Sequence, residues 1–205
     1  MKGAQQGTAK THNFLLAGVG GQGILLAADA VALVGLEMGL DVKKSEEHGM
    51  AQRGGSVTSH VRWGNRVYSP LIAPGEVDYL LAFERLEALR YADMLRPEGT
   101  LLINDYRIPP VSVSSGDDLY PDEDQEDAAY GTAIRWRFYV PGIDIAQGIG
   151  NVRVNNVVML GALSVFLDVP EEIWLRVISK RVPQEYIELN RTAFGKGRDH
   201  MRTRL

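Results

Sequence analysis

Residues 44–64, KSEEHGMAQRGGSVTSHVRWG, gather hydroxyl, carboxylate, imidazole, amide and guanidinium groups into one run with few large apolar residues. Ser45, Glu46, His48, Gln52 and Arg53 supply those groups, while Gly49, Gly54 and Gly55 let the backbone bend tightly and come close to whatever it meets. Polar groups of this kind are costly to bury unpaired. They must therefore bond one another, a ligand or a second polypeptide, and the residues alone leave these three open. His48 and His60 lack a credible third ligand at a metal-binding spacing, so no metal site is expected.

A second constellation lies upstream. GVGGQG places Gly18, Gly20 and Gly23 at GxGxxG spacing, with Gly21 and Gln22 between them, where an apolar strand gives way to a helix. Glycines there permit a tight turn and close approach, and the helix start offers free N–H groups to a phosphate. A dinucleotide site also needs an acid about 20 residues further on. Glu46 and Glu47 fall near that place but a few residues late. The glycines serve either a phosphate-bearing ligand or the packing of helix on sheet, and NAD or FAD is the weaker form of the first reading.

The elements that must carry these residues alternate in type. Phe14–Ala17 reads as a buried strand, Ile24–Met38 as a helix stopped at Gly39, and DVKKS as a second strand. Val57, Ser59, Val61 and Trp63 alternate with Thr58, His60 and Arg62 as in a strand with two unlike faces. A Gly-Asn turn in WGNRVYSPLI predicts a hairpin after it. VDYLLAF is a strand, ERLEALRYADML a helix with Leu86, Leu89 and Leu95 inward, and GTLLIND another strand. Residues 107–131, rich in Pro, Ser and acids, read as a solvated excursion with a short strand near Val111–Val113. AIRWRFYV is a strand, and the remainder is helical: Val154–Leu167, Glu171–Ser179, and Gln184 to the basic end. This order predicts a three-layer α/β/α, Rossmann-like domain with a mostly parallel, mixed sheet. Residues 1–12 read as a mobile polar tail and 13–205 as a single domain.

Composition bounds the chemistry. The chain has 205 residues, 45% of them hydrophobic and 23% charged, with a net charge of -4. That balance argues against a dedicated nucleic-acid binder, and no apolar run approaches the ~20 residues of a membrane span. Cytoplasm is the expected location. With no cysteine, the chain has no thiolate nucleophile and no Cys-ligated zinc or iron–sulfur site of its own. Redox chemistry would need an organic cofactor or another polypeptide. The acidic run 117–127 reads as a solvated loop, or as a surface that steers a basic partner.

GVGGQGI, then KKSEEHGMAQRGGSVTSHVRWG, SPLI, GEVDYLLAFERLEALRY and GTLLIND, taken in that order, resemble the gamma-type subunits and domains of the 2-oxoacid:ferredoxin oxidoreductases, in particular the small-subunit family of the indolepyruvate enzymes. The likeness runs from Phe14 through the C-terminal helices. Glu47 departs from it, since an aliphatic residue is usual there. The resemblance implies a large partner subunit that carries thiamine diphosphate and the iron–sulfur clusters, with ferredoxin taking the electrons indirectly. NVRVNN holds an Asn155–Asn156 pair but no preceding GDG, so capping or surface polarity explains it better than a thiamine site. The resemblance also associates this type of domain with coenzyme A, for which the glycine loop with Lys43, Lys44 and Arg53 would supply phosphate contacts.

On this reading the polar run, from Ser45, Glu46 and His48 to Gln52, Arg53, Gly54 and Gly55, closes over the partner's active site, forms the subunit interface, or does both. No catalytic residue is assigned to the chain itself. The expected function is that of a non-cluster subunit acting with its partner on an aryl pyruvate, silent alone, with a homodimer expected when it is isolated. The alternatives are a stand-alone NAD(P) dehydrogenase and a ligand-free interaction subunit.

Overall fold

The computed structural model describes residues 11–48 and 55–205. The apolar run after Asn13 becomes β1 (His12–Val19), buried from Asn13 onward. His12, assigned to the tail by sequence, thus already belongs to the sheet; residues 1–10 lie outside the described residues. Helix α1 (Ile24–Glu37) follows, and Gly39 ends its last turn at φ +76°. Then come β2 (Asp41–His48), β3 (Ser56–Gly64), β4 (Val77–Ala82), α2 (Arg85–Arg90), β5 (Leu95–Asn104), α3 (Val111–Ser114), α4 (Glu123–Tyr130), β6 (Trp136–Val140) and α5 (Gly142–Gly148). Three longer helices finish the chain: α6 (Asn155–Ser164), α7 (Glu171–Arg181) and α8 (Ile187–Arg202).

The six strands form one sheet in the order β2-β3-β1-β4-β5-β6. β1, β4, β5 and β6 run parallel, while β3 lies antiparallel between β1 and β2. Side chains alternate through the sheet and build two cores. Phe14, Leu16, Trp63, Leu81 and Leu102 meet α1, α6, α7 and α8, whereas Leu15, Ala17, Leu80, Leu101 and Ile103 meet Ala88 of α2, Ile72 and Tyr130 of α4. The expected α/β architecture with helices on both faces is what forms.

Four local expectations fail, wholly or in part, for identifiable reasons. No strand turns back from Gly64 to form the expected hairpin; residues 65–76 hold no strand. The backbone of residues 65–72 is instead satisfied by side chains: Asp41 accepts from the Val67 N–H (2.8 Å), His60 Nδ1 from the Ile72 N–H (3.3 Å), and Arg62 donates to the carbonyls of Ser69 and Leu71. The stretch Val111–Ser114 is a helical turn, not a strand. Part of the acidic run is ordered too, because Asp122 and Gln125 form a reciprocal capping box at the start of α4 and Glu126 is buried against Arg85 at 3.0 Å. Finally, the helix after β4 stops at Arg90. Its buried positions are Arg85, Glu87 and Ala88; Leu86 is only half-buried, whereas Leu89 packs against the core and Leu95, at the start of β5, is buried in it as expected.

Helices α6 and α8 touch backbone to backbone. A Cβ added at Gly161 would lie 2.1 Å from the Phe194 carbonyl oxygen, and one at Gly197 2.0 Å from that of Val158. Small residues at these two positions are what let α8 seat against the fully buried α6.

A candidate ligand crevice at the carboxyl end of the sheet

Helix α1 leaves β1 toward one face of the sheet, and α2 leaves the neighbouring parallel strand β4 toward the other. Adjacent parallel strands whose connections part in this way open a crevice beyond their carboxyl ends. The glycine loop, residues 18–23, lies there. Gln22 holds it in shape: its Oε1 accepts from the Val19 N–H (2.8 Å) and its Nε2 donates to the Phe83 carbonyl (2.7 Å). Gly21 and Gly23 take φ values of +103° and +77°, and a Cβ on Gly23 would meet Asn156 Nδ2 at 2.7 Å. Among the described residues the first turn of α1 has no side-chain cap, so its leading N–H groups keep the positive end of the helix dipole open to a ligand.

The crevice, about 380 Å³, is lined by Gly21, Gln22, Gly23 and Leu26 on one side and by Tyr106, Ile143, Val152, Arg153, Asn155 and Asn156 on the other. Arg153 is exposed and makes no ion pair with any described residue. Asn155 is 4% exposed, and its Oδ1 has no hydrogen-bond partner among the described residues. Asn156 is buried as well; it donates to the Gly23 carbonyl (3.4 Å) and accepts from the Val157 N–H (2.9 Å). The asparagine pair is therefore interior and joined to the glycine loop; of the two explanations read from sequence, surface polarity fails, while Asn156 does accept from an N–H in the first turn of α6, as a cap would. A second groove of about 220 Å³ continues past Leu26, Arg153 and Asn156 between α1, α6 and α7 to Tyr186.

Other residues singled out in the sequence are distributed unevenly. Gly18 is the last residue but one of β1, Gly20 donates its N–H to the Gly55 carbonyl (3.0 Å), and Ser45 lies in β2 with its carbonyl 3.5 Å from Ser59 Oγ. Gly49, Gln52, Arg53 and Gly54 lie outside the described residues, and of His48 only its place at the end of β2 is described. Lys43 and Lys44 are not brought to the glycine loop. The register sets them level with Asn13 and Phe14, two strands away and roughly 13 Å short of Gly18 along the strand. Lys43 pairs with Asp41 (2.7 Å), and Lys44 with Asp29 and Glu46. Burial works against the Lys44 charge, but the two carboxylates outweigh it and raise its pKa. Glu46 and Glu47 do not stand where a ribose-binding acid would, because β3 separates their strand from β1.

Sequence reasoning missed the polar supports behind the crevice. Glu84, 1% exposed, follows β4 and accepts from the N–H groups of Leu86 (2.6 Å), Glu87 (3.1 Å) and Ile108 (2.9 Å) and from the Tyr120 hydroxyl. It caps α2 and fastens the chain beyond β5. Asn104 joins Phe83 to Gly142 across the strand ends, at 3.0 and 3.1 Å. Glu87 accepts from Ser56 Oγ (2.5 Å) and pairs with Arg90 (2.9 Å); burial pushes its carboxyl pKa up despite both contacts. A Glu directly after a buried strand, at the start of a helix, is the signal that could have found Glu84.

Comparison with known proteins supplies the family. The model of pyruvate ferredoxin/flavodoxin oxidoreductase matches residues 13–200. The chain belongs to the pyruvate ferredoxin/flavodoxin oxidoreductase family. It is 39% identical to indolepyruvate oxidoreductase subunit IorB of Thermococcus kodakarensis over 191 residues, covering 92% of this chain and 95% of that one. Among solved structures, the keto/oxoacid ferredoxin oxidoreductase gamma subunit of Geobacter sulfurreducens is 26% identical with a TM-score of 0.70, covering 94% of this chain and 99% of that one. The 2-oxoglutarate:ferredoxin oxidoreductase of Magnetococcus marinus, 23% identical with a TM-score of 0.75, shares the fold over 95% of this chain and 31% of its own. Members of this family are oxidoreductase components, and this chain is one. No helix among the described residues is long and apolar enough to cross a membrane.

Proposed function

We propose that the chain is the cluster-free subunit of a thiamine-diphosphate-dependent 2-oxoacid:ferredoxin oxidoreductase acting on an aryl pyruvate such as indolepyruvate. One observation carries this reading. The crevice offers N–H donors, amides, a guanidinium, a tyrosine hydroxyl and apolar walls, but no carboxylate, imidazole or nucleophile among its described lining. Such a lining is suited to binding and orienting a ligand, and in it the Tyr106 hydroxyl alone could exchange a proton. The reacting groups then come from a second polypeptide, and the cytoplasm is the location this assembly implies.

The residues do not fit thiamine diphosphate or a cluster. The chain has no cysteine, and both amide groups of Asn156 are turned to the protein's own backbone. They do fit a phosphate-bearing thiol carrier such as coenzyme A. The uncapped start of α1 and Arg153 would hold its phosphates. When bound, coenzyme A supplies a thiol that takes the acyl group. The polar run from His48 through Gln52, Arg53, Gly54 and Gly55 is assigned to the junction with the large subunit, so that one segment serves assembly and active site together, whereas Ser45 and Glu46 lie further back along β2 and are not assigned to it.

Anaerobic affinity purification from the native host tests the assignment. A larger, brown, iron–sulfur-absorbing polypeptide should accompany the chain, and the pair should oxidise an aryl pyruvate only when coenzyme A is present. In Arg53→Ala, lost turnover with intact assembly places Arg53 at the active site, and lost assembly places it at the interface. Recovery of the chain alone, colourless and stabilised by NAD(P), would overturn the proposal in favour of a dehydrogenase.

A further inference from the structure

β2 ends the sheet, and no described strand pairs with its outer edge. Its eight residues, Asp41–His48, thus offer a row of N–H and C=O groups to another strand. The charges along this edge have an order of their own: two lysines, a serine, two glutamates. Lys44 and Glu46 lie on the α1 side of the sheet, where Lys44 reaches Asp29. Lys43 and Glu47 lie on the other side, level with Arg62 and Thr58, and the Glu47 charge is felt by His60.

We propose that two copies of this chain pair antiparallel along β2, about a twofold axis through Ser45. In that register Lys44 faces the second copy's Glu46, Lys43 faces its Glu47, and both matches repeat by symmetry. Opposite charges directly across a strand pair attract, and like charges repel. Moving the axis to Lys44 sets the two Lys44 side chains against each other and Asp41 against Glu47. Moving it to Glu46 opposes the two Glu46 carboxylates. Axes between residues would turn the α1 layers of the two copies to opposite faces, which a twofold axis normal to the sheet forbids. One register therefore satisfies both faces, and it joins two six-stranded sheets into one.

Charges on an edge strand also serve as a guard against unwanted pairing, but a guard has no need of a sequence that complements itself. Lys44 and Glu46 already bridge within one chain, and the axis brings two such bridges together as an alternating cluster of four charges. The pairing is independent of any ligand in the crevice, which opens at the strand ends and not along this edge.

The absence of cysteine makes the register directly readable. Directly opposed residues of an antiparallel pair have Cα atoms about 4.5–5.5 Å apart, within the reach of a disulfide. Ser45→Cys should form a covalent dimer on mild oxidation, in the full chain alone and in the enzyme assembled with its large subunit. Lys43→Cys and Glu47→Cys should each link poorly alone but cross-link when mixed. By light scattering, Glu47→Lys should weaken dimerisation by about tenfold or more, and Lys43→Glu/Glu47→Lys should restore it. A Ser45→Cys chain that stays monomeric, equal linking at all three positions, or a double reversal that fails to recover the dimer would overturn the proposal. So would a cross-link that forms in the isolated chain but not in the assembled enzyme, which would give the edge to the large subunit.

Discussion

Gly20 donates its backbone N–H to the carbonyl oxygen of Gly55 at 3.0 Å. The glycine loop and the point where the polar run enters β3 are thereby one unit, although 34 residues of sequence lie between Gly20 and Gly55. Ser56, the next residue, extends the unit to Glu87 of α2 and to Tyr91 just beyond its end. A change at any of these anchors should be felt at the crevice.

Removing the side chain that braces the loop tests this. In Gln22→Ala, the Val19 N–H and the Phe83 carbonyl lose their partner together. Leaving such groups unsatisfied in a half-buried position should cost about 1–3 kcal/mol, read as a lower denaturant midpoint with an unchanged slope. A midpoint equal to that of the parent would mean that Gln22 does not brace the loop.

Glu87 should give stability a pH dependence of defined sign. Burial raises its folded-state pKa above the ordinary 4.5, so the native state binds this proton more tightly than the unfolded state. Its contribution to stability is greatest below the ordinary value and declines as pH rises from there through the raised one. Glu87→Gln, which can still accept from Ser56, should flatten this part of the profile and gain on the parent toward neutral pH. Urea denaturation across the acid range measures it; parallel profiles for the two proteins would refute the assignment.

The α6–α8 contact yields a pair of opposite outcomes within one helix. In Gly197→Ala the added methyl meets the Val158 carbonyl oxygen, and overpacking of this kind costs about 1–3 kcal/mol or more. Gly195→Ala meets nothing within 4 Å and should stabilise α8 by up to about 1 kcal/mol through helix propensity. Thermal denaturation should move down for the first and up for the second.

Arg153 separates binding from folding. It is exposed and carries no ion pair with a described residue, so Arg153→Glu should leave the melting temperature of the chain within a degree or two (about 0.5 kcal/mol). The same change should weaken coenzyme A binding to the assembled enzyme by tenfold or more (about 1.4 kcal/mol), measured calorimetrically. Unchanged affinity would move the phosphate site away from the crevice.

Strands and long helices were legible in the sequence wherever apolar periodicity decides them: β1, β4, β5, α1 and α7 lie close to where the pattern puts them. The hairpin after Gly64 misled because a Gly-Asn turn is a local signal, whereas the segment is organised by distant partners, Asp41 and His60. The helix after β4 misled in another way. Leucine spacing suggested which face turns inward, but Glu84 and Arg85 find enough carboxylate and N–H partners to bury that charged end instead. At the crevice the glycine spacing was readable; the role of Lys43 and Lys44 was not, since only the strand register shows how far short of the loop they lie. Arg153, Asn155 and Asn156 reach it from more than 130 residues downstream, and no local pattern signals that meeting.

The brace supplied by Gln22 bears on how tightly any ligand can be held. Both ends of its amide are engaged by the chain's own backbone, so the loop has its shape before anything arrives. A disordered loop would charge each incoming molecule for its own ordering, and that cost would be subtracted from affinity. Here most of it is met once, when the polypeptide folds. Slow hydrogen exchange at the Val19 amide in the empty protein, little changed on ligand addition, would be the signature of such a ready-made receptor.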